Sequence, residues 1–149
     1  MPERKTLKRA AEDKREGKAP STQAGEFVRE EMEHVREGKH GARSAKQAIA
    51  IGLSKARRAG VALKPPAKGK APAKTRRSAK LANAAGAHKT ASVSPRRSRA
   101  TTDALKREGS SAASPTALSR HAKAAARKRG PAARSAAARK AARTRSRKT

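Results

Sequence analysis

Only 15 of the 149 residues are Val, Ile, Leu, Met or Phe, and this scarcity limits what the chain can fold into. Burying a large apolar side chain returns roughly 1.5–3 kcal/mol, whereas ordering the backbone costs roughly 1–2 kcal/mol per residue. Fifteen such side chains cannot balance that cost along the whole length. The other 36 apolar residues are all alanine, which buries little surface. Few large apolar residues together with a net charge of +29 is the composition of a disordered chain. The expected fold is therefore mainly α with extensive disorder. It comprises a polar N-terminal helix, a short helical hairpin, and a basic, largely disordered C-terminal tail with conditional helices.

Residues 1–20 read as the polar helix, over 3–16, with Leu7 its one large apolar residue and no core face. Gly17 and Pro20 end it. Residues 21–63 carry the hairpin. A helix over 22–37 places Val28, Met32 and Val35 at spacings of four and three, beside Phe27. Glu26 in its first turn would complement the helix dipole. Ser44 and Gln47 have the spacing of a capping box. They open a helix over 45–59 with Ala45, Ala48, Ile49, Gly52, Leu53 and Ala56 on one face. Gly60 and Val61 fit the C′ and C″ positions of a helix-closing motif. The first hairpin helix is acidic outside its stripe and the second is basic, so their charges complement each other. Residues 64–149 form the tail. Its first part, 64–100, reads as linker, with helical segments expected at 102–108, 115–129 and 132–146. Ser114-Pro115 starts the second of these and Gly130-Pro131 stops it. Like charges along these helices leave them dependent on a partner.

Charge is divided unevenly. Residues 1–40 hold ten Lys/Arg against nine Asp/Glu, and residues 41–149 hold thirty against Asp103 and Glu108 alone. An uncompensated polycation repels itself and calls for a polyanion. With no Trp or Tyr and one Phe, the chain lacks the stacking platforms of single-strand readers, which favours backbone electrostatics over base readout; of the nucleic acids, DNA is expected over RNA. The expected function is non-enzymatic, largely sequence-independent DNA binding by phosphate neutralisation, of a nucleoid-associated, histone-like kind. Candidate contacts on the hairpin are Lys55, Arg57 and Arg58, followed by Lys74, Arg76 and Arg77. Ser94-Pro95-Arg96-Arg97, with Arg99 beyond, forms a third group. Arg120, Lys123 and Arg127 share one helical face, flanked by Lys128 and Arg129. Arg134, Arg139, Lys140, Arg143, Arg145, Arg147 and Lys148 complete the set. The hairpin has no packed third helix, so it lacks the support a base-reading helix-turn-helix needs.

Other chemistries find little support. There is no Cys, no Gly-rich phosphate loop after a strand, and no catalytic constellation. Of the four histidines only His34 lies among carboxylates, Glu30, Glu33 and Glu37. The spacing has the outline of a metal site, but an exposed charged helix face accounts for it, and no metal, cofactor or small-molecule substrate is expected. No apolar run approaches the ~20 residues of a membrane span, and the N-terminus lacks the apolar stretch of a secretory signal. A cytoplasmic, nucleoid-associated location follows.

Three segments carry resemblances. Residues 21–61, with the string KQAIAI-x-LS-x-ARRAG, resemble an uncharacterised bacterial domain-of-unknown-function family of short basic proteins. That implies a bacterial setting and no particular activity. The tail AARKRGPAARSAAARKAARTRSRKT resembles Ala/Lys/Arg-rich bacterial histone-like tails. Ser94–Arg97 resembles the Ser-Pro-basic-basic repeats of linker and sperm histones, where a turn presents two cations to the narrow minor groove. Two alternatives use the same residues. One is RNA binding at the ribosome. The other is a protein-interaction or regulatory module acting, or self-associating, through the 21–61 hairpin. Glu26, Glu30, Glu31, Glu33 and Glu37 are expected to compete with phosphate for the basic tail and hold binding in check.

Overall fold

The computed structural model describes residues 1–88 and 94–146; among them there are six α-helices, one 3-10 turn and no strand. The chain divides into two compact units, Met1–Ser114 and Pro115–Thr149. The first contains α1 (Arg4–Arg15), α2 (Pro20–Arg36), α3 (Ala45–Arg58), α4 (Ala73–His88), α5 (Pro95–Lys106) and a 3-10 turn at Ser111–Ala113. The second contains α6 (Pro115–Ser146).

The extensive disorder expected from composition is not what the chain adopts: much of the segment read as linker and tail is α4, α5 and α6. Alanine is the reason. It has the highest helix propensity and loses no side-chain entropy on burial. Its small side chain also lets helix backbones approach closely. Ala10, Ala24, Ala42, Ala45, Ala48, Ala56, Ala79, Ala82, Ala112 and Ala113 are all buried, so the residues that looked like filler form most of the core. Around Phe27 and Val61, Ala10, Ala24 and Ala56 pack together, with Leu53 and Leu63 covering them.

Glycine tightens the same packing. A Cβ on Gly52 would stand 2.7 Å from Val28 Cα and 3.0 Å from Phe27 O, so α2 and α3 cross backbone to backbone. A Cβ on Gly86 would meet the carbonyl of Arg57. This seats α4 on the end of α3, where Asn83 Nδ2 also donates to Leu63 O at 3.1 Å.

α1 is a packed helix rather than a free polar one. It buries Thr6, Ala10 and Asp13 while Leu7 faces solvent, 41% exposed. Its inner face is made of small residues, so reading it from its one large apolar side chain chose the wrong side. α2 begins at Pro20, earlier than expected. Glu26 therefore lies beyond the first turn, and it pairs with Arg9 of α1 at 3.6 Å.

The first three helices end alike. Gly17, Gly38 and Gly60 have φ of 70°, 70° and 88°, the left-handed conformation that closes a helix. The next residue donates back to the helix in each case: Lys18 N to Asp13 O at 2.9 Å, Lys39 N to His34 O at 3.0 Å, and Val61 N to Ala56 O at 3.1 Å. The Gly60–Val61 closure matches the sequence expectation. At the other end of α3, Gln47 N donates to Ser44 Oγ at 3.2 Å, while Gln47 Oε1 accepts from Arg43 N at 2.9 Å rather than from Ser44.

Residues 105–113 close over the α2–α3 connection. Gly41 N donates to Leu105 O at 2.9 Å and Ala42 N to Gly109 O at 3.1 Å. Arg36 Nε donates to Ala113 O at 3.0 Å. Ser94 and Pro95 take the N-cap and N1 positions of α5, so the Ser-Pro segment starts a helix instead of forming a turn; proline is pre-organised for N1. In the second unit, Gly130, at φ 76° and ψ 165°, divides α6 into the two helical stretches its sequence suggests.

Candidate functional site

Two sets of charged residues stand out, one inside Met1–Ser114 and one on the surface. Inside, α2 turns Glu30 and Glu31 toward α3, with Glu31 fully buried and Glu30 3% exposed. Lys55 of α3 meets them: its Nζ lies 2.7 Å from Glu31 Oε2 and 3.5 Å from Glu30 Oε1. The backbone N–H of Glu3 donates to Glu30 Oε2 at 3.1 Å. This is the α2–α3 charge complementarity that the sequence suggested, realised by a single lysine.

The closing turn at Gly38 folds the chain back and returns His40 to α2. His40 Nε2 lies 3.3 Å from Glu31 Oε1, and His40 Nδ1 lies 3.1 Å from the Gly41 carbonyl. His34 sits edge-to-face with His40, ring centres 6.1 Å apart, and its Nε2 is 2.8 Å from Glu3 Oε1. That hydrogen bond, followed by Lys39, holds the Glu3 carboxyl below its usual range. Glu31, His34 and His40 each bring one ligand atom within 4.8 Å of the others. The sequence placed His34 among Glu30, Glu33 and Glu37. In the fold, Glu33 pairs with Arg29 at 3.2 Å and Glu37 with Lys39 at 2.9 Å, and both are exposed. Glu31 and His40 are the companions sequence reasoning missed. Their signal is Glu31-x-x-His34 at one-turn spacing, with His40 just past a helix-closing glycine.

The cations singled out as phosphate contacts divide into inner and outer groups. Lys55 is the internal counterion described above. Arg57 is 8% exposed; its Nη1 donates to Leu53 O at 3.5 Å, its Nε has no partner, and burial pushes its pKa down. Neither faces outward as a contact would, whereas Arg58 does. On α4, Lys74, Arg76 and Arg77 line a shallow depression with Lys80, a fourth cation the sequence reading did not single out. Ser94, Pro95, Arg96, Arg97 and Arg99 are exposed at the start of α5.

On α6 no residue is buried. Arg120 and Lys123 line a depression with Pro115, Thr116 and Ser119. With Arg127 they span an arc of about 60° on the helix, at 3.6 residues per turn. Lys128 and Arg129 are exposed beside them, and Arg134, Arg139, Lys140, Arg143 and Arg145 are exposed along the second stretch. The helix carries ten Lys/Arg and no Asp or Glu. Arg147 and Lys148 lie outside the described residues.

The acidic residues expected to compete for the tail have partners within Met1–Ser114: Glu26 with Arg9, Glu30 and Glu31 with Lys55, Glu33 with Arg29, and Glu37 with Lys39. Among the described residues no helix is long and apolar enough to cross a membrane. No family model matches the chain, and neither a curated protein nor a solved structure matches it.

Proposed function

We propose that the chain is a non-enzymatic, nucleoid-associated protein that binds duplex DNA by phosphate neutralisation, largely without reading sequence. The observation that carries this reading is α6, a helix of ten exposed cations with neither an acidic nor a buried residue. Residues 115–149 contain no Asp or Glu to pair with such a surface, and bound phosphates would relieve the like-charge repulsion along it. The start of α5 supports the same reading. Arg96 and Arg97 lie in the first turn, against the positive end of the helix dipole, and a phosphate there would offset both. Lys74, Arg76, Arg77 and Lys80 add a second cationic surface. The absence of aromatic platforms favours backbone contact over base stacking.

Titrating the full chain onto duplexes of unrelated sequence at several salt concentrations tests the proposal. With about ten phosphates neutralised, log K falls against log salt with a slope near −9, the same for every sequence. Replacing Arg120, Lys123 and Arg127 by Gln reduces the slope by about 3. No salt-dependent binding to duplex DNA sinks the proposal. Tighter binding to RNA at equal salt replaces it with the RNA reading.

A further inference from the structure

The Glu31–His34–His40 cluster uses none of the cations of the DNA reading. Charge is the first argument about it. Glu30 and Glu31 are buried side by side, and among the described residues Lys55 is the one lysine or arginine paired with them. Buried carboxylates need compensation, so this interior is one positive charge short. The open side is Glu31 Oε1, because Lys55 holds Oε2.

Hydrogen bonding is the second argument. His40 Nδ1 lies 3.1 Å from the carbonyl oxygen of Gly41, which can only accept, so Nδ1 carries a proton. In a neutral ring, Nε2 then presents a lone pair to Glu31 Oε1 at 3.3 Å. Two acceptors facing each other call for a cation between them. Metal-ligating histidines are oriented in this way, with the other ring N–H on a backbone carbonyl.

One dimension already agrees. Metal–ligand bonds of about 2.0–2.2 Å put tetrahedral ligand atoms about 3.3–3.6 Å apart, and the His40–Glu31 separation is 3.3 Å. His34 brings its ligand atom within 4.8 Å of the other two, so its ring closes in when the ion binds. We propose that Glu31, His34 and His40 bind one divalent transition-metal ion of the zinc class, with Glu31 Oε1 as a single-oxygen ligand. Two histidines and a carboxylate suit zinc and leave a fourth position for water. Lys55 anchors Glu31, and Glu3 anchors His34 from the start of α1. The ion would tie α1, α2 and the α2–α3 connection together in a unit whose core is mostly alanine, where small folds use such staples.

The full-length chain, stripped of metal with a chelator, is titrated with Zn2+ against a chromophoric competitor and with Co2+ followed by visible absorption. One equivalent binds, Co2+ gives the intense bands of a tetrahedral site, and Zn2+ raises the Tm. His34→Ala and His40→Ala each weaken binding by at least tenfold, while a His88→Ala/His121→Ala double variant binds as the parent does. Where circular dichroism shows that an alanine variant has lost its helices, the glutamine variant at that position gives the reading. Substoichiometric binding by the parent chain overturns the site and leaves His40 as an imidazolium counterion. Undiminished binding by folded His34 and His40 variants overturns it as well.

Discussion

Replacing Lys55 by Met separates two roles for a residue that composition marks as a phosphate contact. Lys55 is the ammonium between Glu30 and Glu31, whose side chains are 2% and 0% exposed. Removing it leaves two buried carboxylates without that partner, a change that costs about 3–5 kcal/mol. For a unit the size of Met1–Ser114, each kcal/mol lowers the Tm by about 4 °C, so the melting midpoint should fall by about 12–20 °C. Helix melting followed by circular dichroism measures this. Changing Glu30 and Glu31 to Gln in the same chain removes the stranded charges and should restore most of the loss. In DNA titrations at a temperature where the variant stays folded, the salt slope should stay at its parental value. A lysine on a phosphate would instead reduce it by about 0.9 and carry little stability. A Tm within about 4 °C of the parent, the effect of an exposed ion pair, together with a shallower salt slope, would refute the internal role.

Two further perturbations test the packing and the charge pairs. Gly52→Ala usually stabilises a helix by about 1 kcal/mol, but here the new methyl meets Val28 Cα and Phe27 O, so the urea midpoint should fall by an amount equal to about 1–3 kcal/mol; a rise would show that α2 and α3 are not in backbone contact. Lys18 has its pKa raised by hydrogen bonds to Asp13 and then Glu16. Its stabilising contribution is therefore complete below the unfolded pKa of about 10.4 and is lost only as pH rises through the higher folded value. Lys18→Met should be less stable than the parent at pH 7, by a gap that persists to alkaline pH; a gap that closes near neutrality would contradict the pairing.

How much of this was legible in the sequence depended on the range of the interactions. Ser44 with Gln47, the Gly60–Val61 closure and the break at Gly130 rest on residues within a few positions of one another, and a single strand of sequence shows them. The inward face of α1 was not legible, because Thr6, Ala10 and Asp13 do not look like a core stripe beside Leu7. They are buried because α1 packs against α2, where Ala10 meets Ala24 and Phe27. The mostly alanine core escaped notice for a related reason. The count of large apolar side chains measures transfer from water, while Ala48, Gly52 and Ala56 gain by bringing two backbones into contact. His40 could not be joined to Glu31 without knowing that Gly38 turns the chain back. For the surface cations, sequence sufficed along α6, where every Lys and Arg is exposed and no residue is buried.

Lys55 and Arg58 lie three residues apart in one string, and only the first is internal. Lys55 folds inward onto Glu30 and Glu31, whereas the buried Arg57 reaches the Leu53 carbonyl instead. Each of the nine acids in residues 1–40 has an ion-pair partner: Glu3 and Glu37 share Lys39, Asp13 and Glu16 share Lys18, Glu12 meets Arg15, Glu26 meets Arg9, Glu33 meets Arg29, and Glu30 and Glu31 share Lys55. Six cations therefore pair with nine carboxylates, and Lys55, shared by the buried Glu30 and Glu31, is the only one of the six from beyond residue 40. Beyond residue 63 the sequence offers only Asp103 and Glu108, and Glu108 lies 3.4 Å from Arg43. The cations of α4, α5 and α6 are thus left without acids to fold against. Shortage of acid, rather than abundance of base alone, keeps those side chains exposed and available to a polyanion.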